Sequence, residues 1–476
     1  MGASNVCLVE WLGTFEVPGT GRRVGGRLVI GDRKSELTTF DALSLDRDRG
    51  ALPTDSAIAI PMVWGRTEDG KRITVVNLRS LAWRLFEGAW GTERWLCDFA
   101  IDNHLVPEEP LRFSSLSVGL TDLSSWLESP VPRPQWTIDE VHVEEVQSLR
   151  RVEHGDLAYE FQRSWGTRSG FDEVTIEYPT FATVTSTAEL ELEELVNLAV
   201  TPLEALLWVS TGRFSELDIS QVRLEGERPV YEKLWASFLK PLTHETPARR
   251  LHKSDMLFTA NELPGGLDGG LRRWLDRWED IQQAFGPVIA RYRAPFTYAD
   301  DRFATSVSAL ESYSTRVKHG KFEIPKRERK ERIARVEAAL QSEAPDLIDW
   351  VRSALRYAGQ YELKTRLALL LDEAGNVSEA LFGEQGESFI QAVVKSRNQV
   401  AHSLVRRGGI EGGGNLHWTF RGLNWLLRYH AMLELGFSEQ EAQTRIIKNC
   451  DFQQEAERLK RDLGMTIPPA PEASDR

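Results

Sequence analysis

S-R-N-Q-V-A-H-S, residues Ser396 to Ser403, closes a segment in which Phe389, Ile390, Val393 and Val394 recur at helical spacing. Two residues further on comes R-R-G-G-I-E-G-G-G, where Gly408 and Gly409 can leave helical geometry at little cost. The stretch is therefore predicted on the last turns of a helix, beside a glycine-rich loop. Residues four apart on a helix share a face, so Asn398 and His402 are expected to look the same way. Arg397 is one step round, but its long planar fork reaches the same space.

An imidazole, an amide and a fixed positive charge suit cleavage of RNA without a metal. His402 can take or give a proton near neutrality. Arg397 can pair with phosphate oxygens and steady a pentacoordinate transition state. Asn398 can orient either the ring or a phosphate oxygen, and the RNA supplies its own 2′-hydroxyl as nucleophile. Arginine and histidine at this spacing equally describe a surface cation and a packing imidazole. This is, however, the one Arg-x-x-x-x-His in the sequence.

At 476 residues the chain is too long for a single ordinary core, so two or three domains are expected. Hydrophobic residues at 41% and charged residues at 27% describe a globular protein. A net charge of −13 argues against nonspecific nucleic-acid binding over the whole surface, so an RNA substrate needs a local basic patch. Cys7, Cys97 and Cys450 are scattered, without metal-ligand spacing or a disulfide framework, which favours a reducing compartment and argues against zinc. No signal peptide is read at the N-terminus. The most apolar run is interrupted by Pro202 and Glu204 and is too short to span a bilayer. A cytoplasmic location, no cofactor and no metal are expected.

The predicted fold class is α+β: a β-rich, antiparallel sandwich-like N-terminal region with accessory helices, followed by an all-α helical bundle. Short runs rich in β-branched and aromatic residues, such as G-G-R-L-V-I, K-R-I-T-V-V-N-L and R-W-L-C-D-F-A-I, alternate with Gly, Pro and Asp punctuation. They suggest a sandwich or distorted barrel over 1–185. A mixed continuation covers 186–296. In it a leucine-faced helix is bent at Pro202, I-S-Q-V-R-L-E and M-L-F-T read as strands, Gly265 to Gly270 form a loop, and Pro295 makes a joint. The bundle occupies 297–463, and 464–476 is a Pro-rich, polar tail expected to be disordered.

R-N-x-x-x-H near the end of a helix, in a C-terminal helical domain, resembles the HEPN superfamily of ribonucleases. The order of parts along the chain is similar to that of the ApeA family of bacterial anti-phage proteins, which joins a β-rich domain to an ApeA-type HEPN domain. Supporting stretches are F-E-V-P-G-T-G-R-R-V-G-G-R-L-V-I, the L-T-D-L-S-S-W block around Trp126, and F-A-T-S-V-S-A-L-E-S-Y at the start of the bundle. The resemblance implies an RNA-cutting toxin of abortive infection, acting as a homodimer or higher homo-oligomer with two motifs across one cleft. It implies catalytic roles for Arg397, Asn398 and His402, and a phage-derived trigger sensed by the N-terminal domain. The glycine-rich insertion at Gly408 to Gly414 departs from the pattern. The competing reading is a non-catalytic binding or sensor protein whose bundle only dimerises.

Three further features belong to this reading. Glu311, in the first bundle helix, can pair with Arg397 and hold its fork, or can be a solvated helix-face charge. Residues 321–335 hold seven Lys/Arg against three Glu, a local +4. Lys326, Arg327, Arg329 and Lys330 there, with Arg406 and Arg407 beside the motif, are candidate RNA contacts; the alternative is a solvated face of i,i+4 charge pairs. His430, in L-L-R-Y-H-A-M-L, reads as a packed helix residue rather than a catalyst.

Overall fold

Strict alternation of side chains shapes the first part of the chain. In the strand Arg23–Gly31, Val24, Leu28 and Ile30 are buried while Arg23 and Arg27 face outward. A computed structural model describes residues 7–31, 35–43, 59–86, 89–105, 111–128, 135–136, 141–142, 150–163, 166–169, 174–177, 180–214, 217–224, 230–236, 251–293, 298–355, 358–401 and 413–466.

Six antiparallel strands close on themselves: β1 (Cys7–Glu16), β2 (Arg23–Gly31), β3 (Ser35–Thr39), β4 (Ala59–Thr67), β5 (Arg72–Phe86) and β6 (Ala89–Cys97). The order is β5-β4-β1-β2-β3-β6, and β6 pairs again with β5. This part is thus a barrel, with β7 (Phe99–Asp102) added to β5 and Leu234–Trp235 added to β7. Closure needs close strand crossings. A Cβ on Gly65 would meet Ile73 and Phe15 side-chain atoms at 2.7 and 2.8 Å, and one on Gly13 would collide with the Arg66 carbonyl oxygen. Phe15, Leu28, Leu37, Val63, Ile73 and Trp95 belong to its separate core.

A second, open antiparallel sheet has the order β9 (Arg150–His154), β10 (Leu157–Arg163), β11 (Thr180–Leu190), β8 (Phe113–Leu120), β12 (Leu217–Leu224), β13 (Val230–Glu232). One face buries Leu116, Val118, Tyr159, Phe161 and Val184. Against this region packs the leucine-rich helix. It runs as Leu192–Leu195, a π-helical turn Val196–Val200, and α1 (Thr201–Thr211). Pro202 lies in the first turn of α1, directly after the π turn, so the wider turn absorbs the ladder disruption that the sequence assigned to a bend.

Two local expectations are corrected. M-L-F-T is not a strand: Met256, Leu257 and Phe258 are buried in a loop between two short 3-10 turns, with the Leu257 amide donating to Ser210 O. The glycines after Gly265 are not a loop either, because α2 (Gly266–Arg293) starts at Gly266. Both errors have one cause: a local apolar or glycine signal was overridden by packing against α1 and the bundle.

The bundle comprises α3 (Ala299–Tyr313), α4 (Lys326–Glu343), α5 (Ile348–Leu355), α6 (Leu363–Ala374), α7 (Asn376–Phe382), α8 (Gly386–Ala401), α9 (Gly413–Glu434), α10 (Glu439–Lys448) and α11 (Cys450–Thr466). One continuous apolar cluster runs from the open sheet through α1 and α2 into α3, α6, α8, α9 and α11. Polar contacts stitch the same seam. Arg428 of α9 donates to Val209 O and Ser210 O at the end of α1, and Arg277 of α2 pairs with Glu434 at 2.8 Å. Residues 294–297, including Pro295, lie outside the described residues. So does the tail from 467; α11 extends to Thr466, past the expected boundary. No described helix is long and apolar enough to cross a membrane.

Candidate functional site

The motif helix α8 divides its residues sharply. Phe389, Ile390, Val393, Ser396 and Gln399 are buried, whereas Asn398 is exposed and Arg397 is half-buried. Ser396 satisfies its buried hydroxyl locally, donating to Ala392 O at 2.7 Å. Arg397 Nη1 donates to Asn398 Oδ1 at 3.4 Å, and Arg397 Nη2 stands 3.9 Å from Glu311 Oε2 on α3. The structure therefore brings Arg397, Asn398 and Glu311 together at the surface. His402, Arg406, Arg407 and Gly408–Gly412 lie outside the described residues.

The basic residues of α4 are arranged unequally. Lys326, Arg327 and Lys330 are exposed, and Arg327 pairs with Glu331 one turn on. Arg329 points the other way: its guanidinium donates to Ala358 O at 2.9 Å and Leu355 O at 3.3 Å and lies over the Phe322 ring. Charge counting could not separate these cases, because Arg329 is distinguished by which side of α4 meets α5 and the segment after it. The i,i+4 pairs Arg327–Glu331 and Glu328–Arg332 are also present.

Behind Glu311 lies a polar network that sequence reading missed. The last turn of α3 widens into a π-helical turn, Ser314–Lys318. Arg366 of α6, almost fully buried, donates to Gly320 O at 2.8 Å and Lys321 O at 3.1 Å, fastening the chain as it leaves that turn. Burial pulls the Arg366 pKa below its ordinary value, and the Glu311 carboxylate acts against that fall. His319 Nε2 sits 2.9 Å from Glu373 Oε1, and its Nδ1 sits 3.0 Å from Ser314 Oγ. His430 is completely buried, with Nε2 3.2 Å from Leu370 O. Its Nδ1 lies 3.8 Å from Glu373 Oε2, the spacing of an ion pair, yet burial depresses its pKa to about 3 and keeps the ring neutral. Partners 54 residues apart, such as His319 and Glu373, leave no local pattern to find. Among the described residues no group of three or more His, Cys, Asp and Glu side chains is placed to hold a metal ion.

Two family models match the chain. The ApeA N-terminal domain 1 covers residues 10–274, and the Apea-like HEPN domain covers residues 305–441. The second span contains Glu311, Arg397, Asn398 and His402, and the first takes in the barrel, the open sheet and the start of α2. No curated protein and no solved structure matches. With more than half its length in the N-terminal model and most of the bundle in the other, the chain belongs to the ApeA family and carries its HEPN domain on the C-terminal side.

Proposed function

We propose that the protein is an anti-phage defence endoribonuclease that cuts RNA without a metal, at a cleft made by the HEPN domains of two copies. The observation that carries this reading is the outward pairing of Arg397 with Asn398 and Glu311 on a helix whose opposite side is core, inside the matched HEPN region. A guanidinium kept at the surface and braced from two sides is available to a phosphate.

In this mechanism one copy's His402 removes the proton of the RNA 2′-hydroxyl. The oxygen attacks the adjacent phosphorus, and the other copy's His402 protonates the leaving 5′-oxygen. The two Arg397 side chains clamp the phosphate as its charge builds, and Asn398 aligns an imidazole or a phosphate oxygen. The products are a 2′,3′-cyclic phosphate and a 5′-hydroxyl. Lys326, Arg327 and Lys330, with Arg406 and Arg407, supply the local positive field that an acidic chain otherwise lacks. Toxicity to the infected cell, a cytoplasmic location and a phage-derived trigger at the N-terminal region complete the proposal.

The test compares wild type with His402→Ala on total RNA in excess EDTA, with growth arrest on overexpression as the cellular readout. Cleavage and arrest by wild type alone are expected. Equal cutting by both proteins removes His402 from the chemistry, and an arrest independent of His402 favours the non-catalytic sensor.

A further inference from the structure

The open sheet has two unlike faces. One lies under the helices; the other faces a cavity of about 830 Å³ whose described lining comes wholly from the strands and the turn at Gly155 and Asp156. That size falls in the range of ligand sites, about 300–1,000 Å³. It is a separate feature from the Arg397 site.

Strand register explains its shape. One row across the sheet runs Arg151, Glu160, Thr183, Ser117, Gln221, and the next runs Glu153, Ala158, Thr185, Ser115, Arg223. The central strands β8 and β11 thus contribute only small hydroxyl residues, while longer side chains rise on either side. The result is a trough spanning roughly 14 Å, three strand spacings. Ser115 on its floor is 3% exposed. The floor hydroxyls pair with each other, Ser117 Oγ with Thr183 Oγ1 at 2.8 Å and Thr185 Oγ1 with Ser115 Oγ at 3.4 Å, so the floor is polar across both central strands.

The walls differ in charge. Glu153, Asp156 and Glu160 outnumber Arg151 on one side, where Arg151 pairs with Glu153 at 2.8 Å and leaves Asp156 and Glu160 to make that wall acidic, and Arg223 stands on the other. An acidic wall repels a phosphate backbone, and the described lining has no aromatic platform for a sugar ring. We propose that this trough binds an extended, zwitterionic polypeptide segment, its main chain over the Ser/Thr floor, a basic group against the acidic wall and an acidic group toward Arg223. This goes beyond the nuclease reading and does not depend on it.

The test is fluorescence anisotropy on the full-length protein. The probes are short labelled peptides of Ser, Thr, Lys and Glu in zwitterionic, all-basic and all-acidic series, beside a 2′-O-methyl oligouridylate and labelled maltoheptaose. The zwitterionic series is expected to bind best, and Glu160→Lys to weaken it by about tenfold with an unchanged melting temperature. Thr183→Trp, which fills the floor, should abolish binding; the surface charge reversal keeps the test decisive should that variant misfold. No zwitterionic binding, equal binding by Glu160→Lys, or preference for the oligouridylate or the sugar overturns the proposal. Because binding rather than cleavage is read, such a failure leaves the nuclease proposal standing.

Discussion

Glu311 Oε2 lies 3.9 Å from Arg397 Nη2, so a carboxylate of the first bundle helix faces the guanidinium of the motif helix. The side chains are 37% and 36% exposed, and solvent screening holds such a pair to about 1 kcal/mol or less. Its contribution is therefore to the direction of the guanidinium rather than to stability. Under the proposed nuclease mechanism, Glu311→Gln should leave the melting temperature unchanged and slow RNA cleavage by about tenfold, because Arg397 would lose its lateral partner. Single-turnover rates at wild-type level would remove Glu311 from the site.

Arg428 ties α9 to the end of α1. Its guanidinium is buried, donates to Val209 O at 3.0 Å and Ser210 O at 3.1 Å, and lies over the Trp425 ring. Arg428→Met would leave the last carbonyls of α1 buried without these donors. The expected loss is about 2–5 kcal/mol, read as a lower urea midpoint. An unshifted midpoint would mean that this seam is not what couples the open sheet to the bundle.

Gly65 tests the barrel. A Cβ there collides with Phe15 and Ile73, two fully buried side chains, so Gly65→Val should cost at least ~2 kcal/mol through overpacking. Gly25, on β2 of the same barrel, has no left-handed backbone and an added Cβ there meets only Phe40 at 3.4 Å, so Gly25→Val is the control for a general glycine effect. Thermal unfolding of both variants should separate them clearly.

His430 makes folding sensitive to acid. Its pKa is depressed to about 3 by burial, against ~6.5 for histidine in an unfolded chain. Between those values the unfolded chain binds a proton that the folded chain refuses. Stability is therefore intact above the upper value and declines as pH falls through the window. Burial and the neighbouring Arg421 and Arg302 lower His417 too, adding to the same trend in both proteins compared. His430→Gln should melt lower at neutral pH but lose less stability between about pH 6.5 and pH 5. Parallel pH profiles would contradict this account.

Local pattern carried much of this molecule. The alternation in Arg23–Gly31 and the helical spacing of Phe389, Ile390 and Val393 were each legible, because a half-buried strand and a one-sided helix impose periods of two and 3.6 on the residues themselves. Barrel closure was not. It depends on β6 finding both β3 and β5, and Gly13, Gly26 and Gly65 mark the tight crossings only once the fold is known. The strand expected at M-L-F-T failed because the carbonyl and amide groups of that segment bond to α1 instead of to a neighbouring strand.

The amino-acid order alone determined the α+β class, the split into a β-rich part and a helical bundle, and the helix bearing Arg397 and Asn398. All are consequences of spacing along one segment. The tertiary structure decided that Glu311 meets Arg397, that Arg329 turns inward while Lys326 and Lys330 stay exposed, and that small hydroxyl residues of β8 and β11 floor a trough. Those relations join residues far apart in the chain. Their partners are selected by the packing of whole faces, and no local period records that choice.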